Sequence, residues 1–527
     1  MSAGSISLSD SAAPATKSVN KWAVAVAVAT GALLEVIDTS IVNVALTDIQ
    51  AAVGATLSQV SWVVSSYAVA NVIVLPMSAW LGERFGKKRY FVFSLIGFTI
   101  ASILCGIATS LEMLIFARTL QGLMGGGLLS KAQAFLYETF PPEEQATAQA
   151  AFGAVVIAGP VFGPTIGGYI TTHSDWRWIF FVNLPVGIAA VLLCLQALPK
   201  DEPAGKSTSK VDWLGIGLLV LGLGSLQTML EEGNSDGWFD STFITALACL
   251  SIAGLAAFVW RELSTEHPIV DLRVLSYRSL SAGSMLSIVI GVALYGAMFA
   301  VPIFAQSILH FTSQQTGLLM MPGAIMSAVS MQLAGRLSRR YDPRRVLFAG
   351  GLILVGSLMW VGTLSVNTGE DDLVWPLLVR ALGTSLMFVP LNLSAIGPIP
   401  RHDVAKATGI FNLTRQLGGS IGVAMLSTIL DRRMVFHRQI VSSHLTVDDP
   451  HVMERVNQLT QLYVSHGSSE PVAHQQALQT LSGMVQQQAS VLSFNDTFYI
   501  VAGLVLLFLP LVFLLGKPPA NVKVDAH

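Results

Sequence analysis

Long runs of apolar residues alternate with short polar segments along almost the whole chain. A helix needs about 20 predominantly apolar residues to cross a bilayer. The pattern therefore predicts an all-α membrane protein with about fourteen spans. These cover residues 22–46, 58–80, 90–109, 113–137, 146–170, 178–198, 211–230, 242–260, 280–305, 316–335, 346–366, 373–395, 405–430 and 495–516.

Basic residues cluster in every second connection between these spans. An excess of lysine and arginine marks the cytoplasmic loops of membrane proteins. Placing the N-terminus in the cytoplasm puts most of the basic loops there, so both termini are expected to be cytoplasmic. We expect a disordered tail at 1–21, a second tail at 517–527, and one long segment on the outer side at 431–494.

The chain contains an internal repeat. WLGERFGKKR follows the second span at 80–89, and AGRLSRRYDPRR follows the tenth at 334–345. Arg118 in the fourth span likewise has a counterpart in Arg380 of the twelfth. Such repeats are typical of secondary transporters, whose substrate site lies between the two halves. We therefore predict two six-helix bundles with two inserted helices between them, at 22–198, 280–516 and 199–279.

Composition argues against other classes of protein. Hydrophobic residues make up 52% of the chain and charged residues 12%, against about 25% charged in soluble domains. A net charge of −2 gives no basic surface for nucleic acid. The sequence lacks the G-x-x-x-x-G-K-[ST] phosphate loop of ATP-driven pumps. Cys105, Cys194 and Cys249 lie in apolar runs and indicate neither disulfides nor a metal site. The repeat also argues against a channel.

Two carboxylates interrupt the first span. In LLEVIDTSIVNVAL (33–46), one helical face carries Glu35, Asp38, Thr39 and Asn43, whereas the other faces are apolar. An acid at the bilayer centre costs at least ~2.5–3.5 kcal/mol and usually marks a proton or ion pathway. Two acids this close cannot both ionise cheaply in a low dielectric. We therefore expect proton coupling here.

The two acids are expected to differ in role. Asp38 is the stronger candidate for proton coupling, whereas Glu35 lies nearer the cytoplasmic end and is also expected to meet substrate. The alternative is a salt bridge to Arg118 or Lys131 that only holds helices together. Intramembrane cations usually line cavities, so we also expect a substrate-facing role for Lys131, Arg380 and Arg415.

The fifth span is rich in glycine and proline. Its segment GPVFGPTIGG (159–168) places Gly159, Gly163 and Gly167 four residues apart, beside Pro160, Pro164 and Gly168. Glycines at this spacing let another helix approach closely, and prolines permit a bend. We predict a tight, bendable joint that opens during alternating access, with ordinary close packing as the alternative.

The loop after the second span is a candidate cytoplasmic gate. A tight turn at Gly86 is predicted to bring Glu83 and Arg84 beside Lys87 and Lys88. Charges at helix ends can bridge to neighbouring spans and stabilise one state of a carrier. The alternative is that these basic residues only fix the orientation of the chain.

Several motifs resemble those of the fourteen-span drug:proton antiporters of the major facilitator superfamily. GPVFGPTIGG is similar to the antiporter signature, and VIDTSIVNVAL (36–46) to a first-span motif whose acid is Asp38. RTLQG (118–122) is similar to a fourth-span motif whose arginine is implicated in proton transfer, and LGERFGKKR to the loop motif. DWRWIFFVNLPVG (175–187) and HPIVDLRVL (267–275) also match this branch. The closest resemblance is to EmrB-type exporters.

This resemblance implies a major facilitator fold and proton-coupled export of amphipathic or lipophilic drugs across a bacterial inner membrane. Export of one metabolite or lipid by the same mechanism is the alternative. Proton coupling is assigned to Asp38, Glu35 and Arg118, with the proton gradient as energy source and neither metal nor cofactor. The expected substrate cavity comprises Glu35, Asn43, Gln121, Lys131, Arg380 and Arg415.

EmrB-type pumps act together with a periplasmic adaptor and an outer-membrane channel. In the outer segment, residues 474–492 place apolar side chains at helical spacing among glutamines. We therefore expect an amphipathic helix there and a candidate docking surface for an adaptor. Packing of this helix on its own protein is the alternative.

Overall fold

The computed structural model describes residues 20–201, 211–366, 368–446 and 449–516. Apart from residues 20 and 21, the two predicted tails lie outside these ranges. Within them the chain is helical, and we number the α-helices in order. They are α1 (Lys21–Val53), α2 (Leu57–Phe85), α3 (Lys87–Gly106), α4 (Leu111–Gly125), α5 (Leu128–Thr139), α6 (Pro142–His173), α7 (Trp178–Phe181), α8 (Asn183–Ala197), α9 (Trp213–Glu232), α10 (Thr242–Ser264), α11 (Arg278–Ser307), α12 (Ser313–Arg340), α13 (Pro343–Val361), α14 (Glu370–Ile396), α15 (Val404–Ser443), α16 (Pro450–Ser465) and α17 (Glu470–Phe508).

The helices agree with about fourteen predicted spans. Twelve are long and apolar enough to cross a membrane, counting α7 with α8 as one. The pair α4 and α5 corresponds to the predicted fourth span, and α15 to the thirteenth. The prediction of an all-α membrane fold is therefore confirmed.

Local sequence fixes several helix ends. The Asn20 side chain accepts hydrogen bonds from the backbone N–H groups of residues 22 and 23 at the start of α1. Thr56 with Gln59, and Thr312 with Gln315, form reciprocal capping boxes at the starts of α2 and α12. Each cap satisfies backbone donors that have no partner within the helix.

The predicted fourth span is not one continuous helix. It is interrupted between α4 and α5 by Gly126 and Gly127, and Gly127 has φ of +105°. A Cβ on Gly127 would also lie 2.7 Å from the Cβ of Ser78. A non-helical backbone at membrane depth occurs only where protein or water in a cavity can bond its free N–H and C=O groups. The free groups at this break must therefore find partners inside the bundle.

The segment at 431–494, predicted to lie on the outer side, is continuous with two helices of the bundle. α15 continues to residue 443 and α17 begins at residue 470, so both helices run unbroken from the apolar bundle into this region. At 1.5 Å per residue each is about 60 Å long, roughly twice the thickness of a bilayer core. The expected amphipathic helix at 474–492 is therefore the first half of α17.

The helices pack in a pattern that brings distant parts of the chain together. α1 lies against α5, α6 and α8, α2 against α4, and α11 against α15. α6 packs along α12, and α2 packs on α15. α9 and α10 form a pair, in which α9 also contacts α2 and α15. We call the side where α1 begins and α2 ends the base, and the opposite side the top.

Candidate functional site

Asp38 lies in the middle of a buried polar cluster. Its side chain has no exposed surface, and Arg118 of α4 is 1% exposed. Arg118 Nη1 donates to Asp38 Oδ2 at 2.6 Å, forming a buried ion pair between α1 and α4. Buried pairs need further hydrogen bonds to offset the cost of desolvation, and both partners have them.

Neutral donors complete the environment of the Asp38 carboxylate. Oδ1 accepts from Gln121 Nε2 at 2.8 Å and from Asn183 Nδ2 at 2.7 Å. Both amides also bond the Ser102 hydroxyl. Arg118 in turn donates from Nε to the Val63 carbonyl at 3.0 Å. The carboxylate is thus bonded directly from α4 and α8, and Ser102 of α3 holds the two amides in place.

Gln121 therefore belongs to the Asp38 cluster, although the sequence suggested a place in the substrate cavity. It is fully buried, and its amide is occupied by Asp38, Arg118 and Ser102. Asn183 and Ser102 were not identified from the sequence. Asn183 lies within the family-like motif at 175–187, which was the available signal, whereas Ser102 sits in an ordinary apolar run.

Glu35 lies one helical turn from Asp38, towards the base, and is 6% exposed. Its Oε1 accepts from Asn71 Nδ2 at 2.9 Å, and its Oε2 accepts from the backbone N–H of Leu129 at 2.9 Å. Leu129 lies in the first turn of α5, directly after the break at Gly126 and Gly127. The break therefore frees a helix N-terminus that binds the Glu35 carboxylate, as expected from the positive end of the helix dipole.

The remaining polar residues of this α1 face are accessible. Thr39 and Asn43 are exposed and lie on the Glu35 and Asp38 face, nearer the top. The polar face of α1 is therefore buried at its two acids and accessible above them. Asn43 is suitably placed to line a space that opens towards the top.

A chain of amides connects Glu35 to the C-terminal helices. Asn71, which binds Glu35, also accepts from Gln416 Nε2 of α15 at 3.0 Å. This link joins the first acid to α15 through a single side chain of α2. None of these amides was identified from the sequence, because asparagine and glutamine occur at many positions without such contacts.

A second amide network lies nearer the base. Gln133 of α5 donates to Asn392 of α14 at 2.7 Å and accepts from Asn412 of α15 at 2.8 Å. Tyr137 donates to the Asn392 carbonyl at 2.8 Å. All four side chains are buried. These bonds tie α5 to α14 and α15 on the base side of Glu35.

Arg415 and Arg380 have incomplete hydrogen bonding. Arg415 is 4% exposed, donates to Asn412, and lies 5.1 Å from the centre of the Phe388 ring. Its Nη1 has no hydrogen-bond partner among the described residues, and the same holds for Nε of Arg380. Neither guanidinium forms an ion pair within the described ranges, unlike that of Arg118. Both remain candidates for binding an anionic group.

Lys131 lies apart from these residues. Its ammonium is 5.6 Å from the centre of the Tyr90 ring, and a Cβ on Gly82 would lie 2.0 Å from its Nζ. Both neighbours are close to the loop between α2 and α3. Lys131 thus belongs to the base, and the structure does not bring it to Glu35 or Asp38.

The glycine stripe of α6 packs directly against α1. Cβ atoms built on Gly159 and Gly163 would lie 2.6 Å from the Val36 side chain and 1.9 Å from the Ser40 hydroxyl. Gly167 meets Ile41 in the same way, at 2.9 Å. Ser40 also donates to the Gly159 carbonyl at 3.2 Å. The stripe therefore supports the helix that carries both acids, from the side opposite their cluster.

The other motif residues of α6 make fewer contacts that bear on the site. Pro164 is half-buried, Gly168 is buried, and the Gly168 carbonyl accepts from the Thr172 hydroxyl at 2.7 Å. Pro160 lies within α6, but its side chain is outside the described part of the structure.

The loop at 83–88 is tied to neighbouring helix ends at the base. Gly86 has φ of +93°, as the predicted turn requires, and a Cβ there would meet Asp201 at 2.5 Å. Asp201 accepts from the backbone N–H groups of Lys88 and Arg89 and so caps α3. Lys87 pairs with Glu138 of α5 at 2.7 Å. The loop thus joins α2 and α3 to α5 and α8.

Glu83 and Arg84 face a pocket of about 420 Å³ at the base. The segment 266–273 and Lys406 of α15 form its other walls. Lys406 pairs with Asp271 at 3.0 Å and with Asp403 at 3.4 Å. Charged groups of α2, of the linker after α10 and of α15 therefore meet at one place.

The contact between α1 and α4 depends on one ionised carboxylate. Among the described residues, Asp38 supplies the one carboxylate of this cluster, and loss of its charge would release Arg118 Nη1. Charge-assisted bonds are roughly twice as strong as neutral ones, so the contact between α1 and α4 would weaken. The same helix carries Glu35, whose partners reach α5 and α15.

Comparison with known proteins agrees with this architecture. Residues 28–423 match the Major Facilitator Superfamily. The multidrug export protein EmrB of Escherichia coli (strain K12) is 31% identical over 94% of this chain and 95% of its own length. The fatty acid resistance protein FarB of Neisseria gonorrhoeae is 31% identical over 94% and 96%. The human organic anion transporter MFSD10 (TETRAN) shares the fold, with a TM-score of 0.60 and 12% identity over 93% of this chain and 99% of that chain.

Family membership settles the broad class of the molecule. The match covers most of the chain, and the relatives align over nearly their full lengths. The molecule is an integral membrane transporter and not an enzyme. The chain belongs to the major facilitator superfamily, within its EmrB-type branch.

Proposed function

We propose that this protein is a proton-coupled antiporter that exports amphipathic or lipophilic compounds across the bacterial inner membrane by alternating access. The observation that carries the proposal is the buried pair of Asp38 and Arg118, with its ring of neutral donors. An acid held this way inside a membrane is suited to bind and release a proton. The names of the EmrB and FarB relatives support export as the direction of transport.

The proposed cycle starts from these contacts. A proton that reaches Asp38 from the top releases Arg118 and loosens α1 from α4. With the base as the cytoplasmic side, the amide network around Gln133 then opens and admits substrate between the halves. Asp38 then loses its proton to the cytoplasm. The hydrogen bonds around Gln133 form again, the base closes, and the substrate leaves at the top. Both termini lie in the cytoplasm in this scheme.

Transport in vesicles tests the proposal. Purified protein in liposomes should move a fluorescent lipophilic cation against its concentration gradient when a pH gradient is imposed. A protonophore should abolish this movement. ATP should be without effect. Uphill movement that survives the protonophore would contradict proton coupling.

A second candidate is export of a lipid or fatty acid by the same mechanism. The unpaired nitrogens of Arg415 and Arg380 favour it, because a buried guanidinium binds a carboxylate well. The relation to FarB supports the same reading. A medium-chain fatty acid in the vesicle assay, tested beside the cation, distinguishes the two candidates.

Replacement of Glu35 by glutamine is expected to change substrate preference more than proton coupling. A buried carboxylate pairs well with a cation and poorly with an anion. The substitution should therefore lower export of cationic compounds several-fold and spare weak acids. The measurement is a resistance panel of cations, neutral compounds and acids. An equal loss for all three classes would instead place Glu35 on the proton path with Asp38.

We also propose that the helices above the bundle contact a periplasmic adaptor. α16 packs on α17 through Val456, Leu459 and Ala477. The outer surfaces of the two helices leave several large apolar side chains exposed, namely Leu462, Val464, Val472, Leu478 and Met484. In the free protein these side chains face solvent, and a docked adaptor would cover them.

Charged substitutions on this surface should separate transport from resistance. The variant Leu478→Asp is expected to lower drug resistance of cells at least several-fold, because the adaptor no longer binds. Transport in liposomes, where no adaptor is present, should stay unchanged. Glu454→Gln, an exposed change on α16, serves as the matched control. Equal loss in cells and in liposomes would argue against an adaptor contact.

A further inference from the structure

We propose that Glu231 and Glu232, at the top end of the inserted helix α9, form a second proton-binding site. This inference extends the proposed function, since it concerns how many protons one cycle uses. Glu232 is 5% exposed and Glu231 is half-buried. Neither residue belongs to the Asp38 cluster or to the motifs found in the sequence.

All hydrogen bonds to the two carboxylates come from neutral groups. Gln227 Nε2 donates to Glu231 at 2.7 Å, and Ser65 Oγ donates to Glu232 at 2.7 Å. Ser61 adds a longer contact to Glu232 at 3.3 Å. No lysine, arginine or histidine of the described ranges bonds either acid. A buried acid without a cation is costly when ionised and is usually neutralised by a proton.

An unpaired acceptor in the same cluster points to that proton. Gln227 is 1% exposed, and its Nε2 is shared between Glu231 and Ser420 at 2.7 Å each. Its Oε1 has no partner among the described residues. A protonated carboxyl is a donor as well as an acceptor. The Gln227 amide, which donates to Glu231 through Nε2, can therefore accept a hydrogen bond from a protonated Glu231 through Oε1, which satisfies both groups.

In the described part of the chain, the elements packed against this end of α9 bring no cation that pairs with the two acids. α2 has no charged residue before Glu83, and its Tyr67 lies 4.3 Å from the Arg118 guanidinium. α10 contributes Arg261 and Glu262, which lie at the other end of α9, where Arg261 pairs with Asp212. The charged residues of α15 are Lys406, Arg415, Asp431, Arg432, Arg433 and Arg438.

None of these α15 groups neutralises the acids. Lys406 and Arg415 lie towards the base and the centre, and Arg433 pairs with Asp496 at 2.5 Å. Asp431 adds a further negative charge just above, where it accepts from Asn234 at 2.7 Å. Arg432 and Arg438 are exposed. The histidine on the same helix, His437, also contacts Asp496.

The position of the pair gives its protonation a mechanical consequence. Ser61 and Ser65 belong to α2, Gln227 to α9 and Ser420 to α15, so the cluster joins three elements on the top side. The network around Gln133 joins α5 to α14 and α15 on the base side. A proton at Glu231 changes the bonds of Gln227 at the top, where an outward-open carrier must separate its helices.

Infrared difference spectroscopy of the purified, lipid-reconstituted protein tests this site. A pH step should reveal the carbonyl band of a buried protonated carboxyl. The double variant Glu231→Gln/Glu232→Gln should lose that band, because glutamine keeps the hydrogen-bonding atoms but cannot titrate. Glu454→Gln should retain it. Asp38→Asn should retain it too, which separates this site from the first proton site.

The outcomes are distinct. Loss of the band in the double variant with an unchanged melting temperature supports the second site, whether or not Asp38 titrates. An unchanged set of titrating carboxyl bands in the double variant overturns it. A band in the wild type that is displaced by sodium at constant pH also overturns it, because the site would then bind a metal cation in place of a proton.

Discussion

The variant Asp38→Asn is expected to abolish uphill transport driven by a pH gradient. Asparagine has nearly the shape of aspartate but cannot exchange a proton. The carboxylate is also the acceptor for Arg118, Gln121 and Asn183. Without this carboxylate, the contact with Arg118 can no longer respond to a proton, so uphill transport should fall to the level of empty liposomes.

The same substitution carries a structural cost that the measurement must separate. It leaves the Arg118 guanidinium buried without its partner, and breaking a buried pair typically costs about 3–5 kcal/mol. In addition, the side-chain NH2 group of the new asparagine would face one of the N–H donors that now bond the carboxylate. We therefore expect a lower melting temperature, together with retained substrate exchange when no gradient is imposed.

Exchange without a gradient is the decisive comparison. Asp48→Asn provides the matched control, because Asp48 is an exposed acid at the top end of the same helix. It should transport like the wild type. Uphill transport by Asp38→Asn would remove Asp38 from the proton path. Loss of exchange as well as uphill transport would show that the pair is needed for folding or cycling in general.

The sequence was sufficient to identify the helices and the two acids, for a physical reason. Charges inside long apolar runs are rare and costly, so Asp38, Arg118 and Glu35 stand out without any structure. The structure contains the salt bridge between Asp38 and Arg118 that was considered as the alternative to proton coupling. Coupling and pairing are compatible, since protonation of Asp38 would release Arg118.

The partners of these acids could not be predicted in the same way. Asn71, Asn183 and Gln416 come from three different helices, and their approach depends on how the bundle packs. The break at Gly126 and Gly127 was also missed. It lies in an apolar run that satisfies the condition for a span, and glycine within a helix is common in membranes. Only the contact of Glu35 with Leu129 gives the break a role.

The variant Gly163→Val is expected to lower turnover at least tenfold. A Cβ at this position would lie 1.9 Å from the Ser40 hydroxyl and 2.7 Å from the Ser40 Cβ. Overpacking of a tight contact typically costs about 1–3 kcal/mol. Here the added bulk would push α6 away from the helix that carries Asp38, so both the fold and the proton site should suffer. The measurement is turnover in liposomes per correctly folded molecule.

Three further variants show whether the contact with Ser40 is the cause. Gly356→Val is the matched control, because a Cβ on Gly356 would have no atom within 4 Å, and its turnover should be normal. Gly163→Ala should be impaired, and Ser40→Gly in the same chain should restore much of its activity, since the side chain that the new methyl group meets is then absent. The backbone nitrogen of Ile41, at 3.1 Å, leaves the restored contact tight but tolerable. Normal turnover of Gly163→Val, or failure of Ser40→Gly to improve Gly163→Ala, would mean that the close approach of α1 and α6 does not limit the transport cycle.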